Sequence, residues 1–264
     1  ATTKNDVYVI ILPGVGEAGS EDRFKLAKKF VKEQGWSSII LMAPYYGCRK
    51  PSDQTACLVR TVASQFVQTL AVYEETALLS QYFINQNSTN KVCITGFSYG
   101  GGCTLGAASL ALSIIGDEGG ERLAAAFYCP TVSYEAFVSG CLSAKIKHEA
   151  FQSASDKNLA ETKQRLYKVM KDMKISLMTD PLWTHKKPPR LAAAVHGAFR
   201  QDAVVEPHLS EEFFDAVQHG LPCRTTKVMK WFPGGHASAA FMRTVYQYDL
   251  VVEAVTKMEK VNKT

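Results

Sequence analysis

The sequence has no Cys-x-x-Cys pair, although it holds 7 cysteines in 264 residues. They are scattered over Cys48, Cys57, Cys93, Cys103, Cys129, Cys141 and Cys223. That spacing gives no support to a zinc ribbon or a thioredoxin-like redox pair, and no metal or cofactor is expected. It suits buried free thiols, which favour a reducing, intracellular setting. The chain also lacks an apolar run near the roughly 18 residues that span a bilayer. It lacks a strong excess of one charge: 30 Lys and Arg face 25 Asp and Glu, a net +5. A nucleic-acid binder is expected to carry a higher pI and a clear basic stripe, so no nucleic-acid partner is expected. No internal repeat is present and no signal or transit peptide is visible. The first strand-like run follows closely on Ala1, so the opening strands of the fold are expected to precede the given sequence.

What is there is an alternation of strand and helix signals. Val7–Leu12 is a near-continuous apolar run stopped by Pro13-Gly14, as in a strand buried on both faces. Ser38–Met42, Lys91–Thr95, Leu123–Tyr128, Leu191–Val195 and Thr226–Phe232 read as further strands. Helical spacing predicts helices over 20–34, 55–84, 99–115 and 238–258. Such alternation means βαβ units, a mostly parallel sheet and helices on both faces. The rhythm breaks between Thr131 and Pro189, which holds helix formers but no good strand. We therefore divide the chain into an α/β core, 1–130 and 190–264, and a helical cap insertion, 131–189.

Two glycine-rich turns compete for the chemistry. Gly14-Val15-Gly16-Glu17-Ala18-Gly19 follows a strand and opens a helix, matching a dinucleotide fingerprint. The acid that would hold a ribose is missing, because the next strand ends Met42-Ala43-Pro44-Tyr45. Glu17, Glu21 and Asp22 would also repel a pyrophosphate at the helix entrance. Nucleotide binding through Gly14–Gly19 therefore stays the minor alternative.

The second turn, Gly96-Phe97-Ser98-Tyr99-Gly100, lies between a strand and a helix, the pattern of a nucleophile elbow. A serine hydroxyl needs a base and an orienting acid. Asp202 follows the strand Leu191–Val195, with Glu206 as fallback acid, and His236 follows Thr226–Phe232 on a Gly234-Gly235 approach. Ser98, Asp202 and His236 thus occur in the chain order of an α/β-hydrolase triad. The loop after the first strand then gains a different role. The amides of Val15 or Gly16, with that of Tyr99, become the candidate oxyanion hole.

Pro44-Tyr45-Tyr46-Gly47-Cys48-Arg49-Lys50-Pro51, with Asp53-Gln54, the elbow Gly96–Gly101 and Gly234-Gly235-His236-Ala237-Ser238, resembles the family of alpha/beta-hydrolase domain-containing protein 18. The resemblance implies an α/β-hydrolase fold, a Ser–Asp–His triad on Ser98, Asp202 and His236, and hydrolysis of an acyl ester, a lipid among the candidates. The chain departs from it in having Tyr99 after the nucleophile, where Met is usual, and Val15-Gly16-Glu17 in the oxyanion loop. A Tyr there is expected to narrow the pocket.

The Pro44–Gln54 loop shares the rim of Ser98, so Arg49 and Lys50 are candidates to hold an anionic head group, unless Arg49 pairs with Asp53 or caps a helix. From Lys145 to Arg190, 11 Lys and Arg face five Asp and Glu. Leu159, Leu166, Val169, Met170, Met173 and Leu177 recur there at helical spacing. An anionic membrane surface is one candidate partner of such a helix; packing on the core as a cap is the plainer reading. The reading reached is a serine hydrolase of a small-molecule or lipid acyl ester. A thioesterase or peptidase with the same triad, and a non-catalytic scaffold, are its alternatives.

Overall fold

The computed structural model describes residues 6–17, 19–54, 59, 61–130, 149, 156–179 and 189–262. Six strands form one parallel sheet: β1 (Val7–Leu12), β2 (Ser37–Ile40), β3 (Lys91–Phe97), β4 (Leu123–Tyr128), β5 (Ala193–Phe199) and β6 (Val228–Phe232). Their order is β2-β1-β3-β4-β5-β6. The chain steps outward from β1 to β2 and then restarts on the far side of β1 with β3. In open α/β sheets the crevice at such a reversal is where ligands bind, outside the carboxyl ends of the strands.

The central strands are largely apolar because both faces are covered. Every residue of β4 and β5 is buried, and all of β3 after Lys91. Helices α1 (Glu21–Gln34) and α7 (Tyr248–Val261) pack on one face. The other carries α2 (Val62–Gln86), α3 (Tyr99–Gly120) and α5 (Pro207–Gly220). By length and composition α3 could cross a membrane, but its Leu105, Ala107, Ala108, Ala111 and Leu112 are buried in the core. The run Ala124-Ala125-Ala126 in β4 brings the covering helices close to the middle of the sheet. Register sets Leu12 beside Gly96, Gly96 beside Phe127, Tyr128 beside Gly197 and Phe199 beside Phe232. The loops that follow these five strands therefore emerge along one rim.

Some boundaries differ from the sequence pattern. β3 runs two residues further, to Phe97, and delivers the chain directly into the elbow. β5 starts at Ala193 and continues through His196-Gly197 to Phe199; Leu191 makes only an isolated bridge to Cys223. Asp202 is thus three residues past a strand end. The pattern gave no helix at Pro207–Gly220, although Pro207 opens it and Phe213 and Val217 bury its apolar stripe. The single helix expected over 238–258 is α6 (His236–Phe241), a wide turn over Arg243–Gln247, and α7.

Of the expected cap, α4 (Leu159–Thr179) packs against α3 and α5, while 131–148, 150–155 and 180–188 lie outside the described residues. Cys48, Cys93, Cys103, Cys129 and Cys223 are free thiols; Cys57 and Cys141 lie outside the described residues.

His196 is a polar residue in the middle of β5. Its ring is ringed in turn by Phe127, Phe213 and Phe214, and neither nitrogen has a partner among the described residues. Burial lowers its pKa from 6.5 to about 3. Between those values the unfolded chain binds a proton that the folded one refuses, so stability present above pH 6.5 drains away as pH falls. The slope is about 1.4 kcal/mol per pH unit, or about 2 kcal/mol between pH 7 and pH 5. Urea midpoints at these two pH values measure it. The acid loss should be smaller by about that amount in His196→Phe; equal losses in the two proteins would contradict the assignment.

Candidate active site

The elbow is built by close backbone approach. A Cβ on Gly96 would lie 2.4 Å from the Gly100 carbonyl, and one on Gly100 would lie 2.6 Å from the Pro13 carbonyl oxygen. Only hydrogen fits at either place. Ser98 between them takes φ 56°, ψ −118°, a strained conformation for a residue with a side chain. Its amide donates to the Tyr128 carbonyl at 3.1 Å, tying the turn to the end of β4. Helix α3 begins at the next residue and aims its dipole at Ser98.

The Tyr99 side chain does not run out over Ser98. It is buried, and its hydroxyl shares a 2.7 Å hydrogen bond with Thr69 on α2. The expected narrowing of the pocket is thus replaced by a tie between α2 and α3. Neither the Tyr99 amide nor the Val15 amide has a hydrogen-bond partner among the described residues. The Gly16 amide is engaged: it donates to the Tyr46 hydroxyl at 2.7 Å. Of the loop amides proposed for an oxyanion, Val15 is therefore the open one.

Asp202 and His236 come from two loops laced together. The Gln201 amide donates to the Gly234 carbonyl at 3.0 Å, and the Gly234 amide donates to the Gln201 side chain at 2.8 Å. A Cβ on Gly235 would meet the Gln201 carbonyl at 2.5 Å, so the lacing needs glycine there. Across it, His236 Nδ1 lies 3.0 Å from Asp202 Oδ2. The amides of Val204 and Val205 both donate to Oδ1 at 2.8 Å. Burial pushes the Asp202 carboxyl upward, but the hydrogen bonds from His236, Cys129 and Val205 outweigh it and hold the pKa below the usual value. Glu206, the fallback acid, is instead exposed beside His208 at 3.4 Å.

The His236 ring packs on Phe97, the residue before Ser98, with centroids 5.0 Å apart. Tyr128 fixes the short helix after His236 by donating to the Ala239 carbonyl at 2.7 Å. The hydrogen bonds of the described residues include none between Ser98 Oγ and His236. Such a bond commonly tightens only when substrate is present.

Two charged expectations resolve differently. Arg49 is not paired with Asp53. It makes a two-pronged bond to Glu75 of α2, at 2.7 and 2.8 Å, and donates to the Met42 carbonyl. Its guanidinium ties the Pro44–Gln54 loop to α2, while Lys50 stays exposed. Glu17 does not face an open helix entrance. It lies 2.9 Å from the buried Arg23 and also bonds to Arg243, whose guanidinium sits 5.2 Å from the Phe97 ring.

Two residues at the site were not singled out from sequence. Tyr46, buried, holds the loop after β1. Cys129, just past β4, places Sγ 3.0 Å from Asp202 Oδ2 and 3.5 Å from His236 Nδ1. The ligand atoms of Cys129, Asp202 and His236 lie within 4.8 Å of one another, near enough to share a small cation, although hydrogen bonds account for the separations.

The family model described as Alpha/beta hydrolase domain containing 18 matches residues 2–194, a span that includes Ser98 and ends before Asp202. Among solved structures the chain is similar to acetyl xylan esterase 1 from Thermoanaerobacterium sp. JW/SL YS485: TM-score 0.57, 16% identity, 98% of this chain and 76% of that one. It is similar to Est1E from Butyrivibrio proteoclasticus with ferulic acid bound, at TM-score 0.57, 15% identity and coverage of 97% and 92%. TT1662 from Thermus thermophilus matches at TM-score 0.55, 14% identity and coverage of 97% and 91%. At these identities the likeness is one of fold, and the fold is that of the α/β-hydrolases. With the family model matching most of its length, the chain belongs to the alpha/beta hydrolase domain containing 18 family.

Proposed function

We propose that this hydrolase cleaves an acyl ester through Ser98, with His236 as general base and Asp202 as the acid that orients it. The observation that carries the reading is the 3.0 Å bond between His236 Nδ1 and Asp202, beside a serine on a strained elbow. That bond fixes the imidazole tautomer with its proton on Nδ1 and leaves Nε2 as the basic nitrogen. The serine hydroxyl then loses its proton to Nε2 as Oγ attacks the carbonyl, and Asp202 stabilises the imidazolium. The Tyr99 and Val15 amides receive the oxyanion. His236 returns the proton to the leaving alcohol, then activates the water that releases the acid. A neighbour of the same fold is named as an acetyl xylan esterase, which supports ester chemistry.

A fluorophosphonate should label the wild-type serine and leave Ser98→Ala unlabelled. On a short acyl ester that variant should lose about 10⁶ in kcat. Labelling or substantial turnover by Ser98→Ala would reject the mechanism. The two acids are separated by parallel assays. Asp202→Asn should lose about 10⁴ in kcat through the wrong tautomer, and Glu206→Gln should stay near wild type. The reverse ranking would move the acid to Glu206.

A further inference from the structure

We propose that Cys129 is a positioning residue of this site, its thiol donating a hydrogen bond that holds the Asp202 carboxylate in place for His236. The inference rests on the triad reading above.

Cys129 is the first residue beyond β4, and it is buried. Its amide donates to the Gly197 carbonyl at 2.7 Å, so its backbone is fixed between β4 and β5. Its φ is 47°, in the left-handed region where glycine would be unstrained. The chain carries a side chain there nonetheless, and that side chain reaches Asp202, with His236 Nδ1 further off at 3.5 Å. Sγ sits 3.0 Å from Asp202 Oδ2, the same oxygen that faces His236 Nδ1.

The arrangement saturates the carboxylate. Oδ1 takes two amides from the loop that carries Asp202 itself. Those bonds fix the loop, but they do not fix Oδ2 relative to the sheet. Cys129 does, because it is anchored to the strand ends beside Ser98: the residue before it, Tyr128, accepts the Ser98 amide. The thiol is therefore the direct link from the nucleophile's scaffold to the acid. Burial, and next the Asp202 charge, raise the thiol pKa well above its ordinary value, which keeps the proton it donates. A neutral donor also avoids placing a second anion beside Asp202.

Three variants test this on a chromogenic acyl ester, with fluorophosphonate labelling as a second readout. Cys129→Ala, which keeps a Cβ at the strained position but loses the donor, should lower kcat by about tenfold, the worth of one such bond. KM should be unchanged, since the side chain of Cys129 meets Asp202 and the Nδ1 edge of His236, away from Nε2. Cys129→Ser restores a donor and should recover kcat to within about threefold. Thermal melting of each variant separates folding from function. If Cys129→Ala keeps wild-type kcat, or if Ala and Ser lose it equally while both stay folded, the proposal fails. Wild-type activity that is lost in EDTA and restored by Zn²⁺ would also overturn it, by making the thiol a ligand. Ser98→Ala runs alongside. Full activity there would reject the triad itself, whereas an inactive Ser98→Ala with an unaffected Cys129→Ala would reject only the role of Cys129.

Discussion

At the point where the sheet reverses its order, three backbone segments meet without side chains between them. A Cβ on Gly100 would lie 2.6 Å from the Pro13 oxygen and 3.0 Å from the Leu12 oxygen, and one on Gly101 would lie 2.8 Å from the Tyr128 oxygen. These contacts bring the start of α3 against the ends of both β1 and β4. The loop after β1 can therefore present amides next to Ser98, and Cys129 can stand on the other side of it. A larger residue at Gly100 would push the two halves of the site apart. The site's geometry is thus a packing result before it is a matter of catalytic side chains.

The loop after β1 is held by two further constraints. Tyr46 takes the Gly16 amide from one side, and Glu17 is gripped by Arg23 and Arg243 from the other. Arg243 continues through Gln247 to the Thr95 hydroxyl, and Thr95 donates to the Ala126 carbonyl of β4. Two buried guanidinium groups against one carboxylate contribute little net stability, because desolvation offsets the attraction. What the cluster fixes is position. Glu17 cannot leave without stranding two cations, so the loop keeps one path over the sheet.

The strand alternation was legible because burial on both faces leaves continuous apolar runs, as in Val7–Leu12 and Leu123–Tyr128. The elbow was legible because its glycines are sterically obligatory. Asp202 and His236 could be picked out by their place after strands, but the lacing of their loops through Gln201 and Gly234 could not, since it is a contact between residues 33 positions apart. Arg49 shows the same limit: its partner, Glu75, lies on a helix that only the fold brings alongside. The place of Glu17 was not legible either: it reads as an exposed charge at the helix entrance until its two arginines, Arg23 from α1 and Arg243 from the segment before α7, are in place. Cys129 gave no signal of its own. A cysteine at the end of an apolar strand looks like any buried thiol until its φ and its neighbour across the sheet are known.

The backbone shows where the strain went. Among the described residues, three without glycine's freedom have positive φ: Tyr45 at 66°, Ser98 at 56° and Cys129 at 47°. All three lie beyond the carboxyl ends of strands, after β2, β3 and β4 respectively. Each such conformation costs on the order of 1–3 kcal/mol and persists only where the surroundings dictate it. Ser98 is the proposed nucleophile. Tyr45 turns the chain so that Tyr46 reaches the loop after β1, and Cys129 turns it so that Sγ reaches Asp202. A fold seeking stability alone would place glycine at all three. Retaining side chains there concentrates the strain along one rim, around the residues that would move the proton and receive the charge.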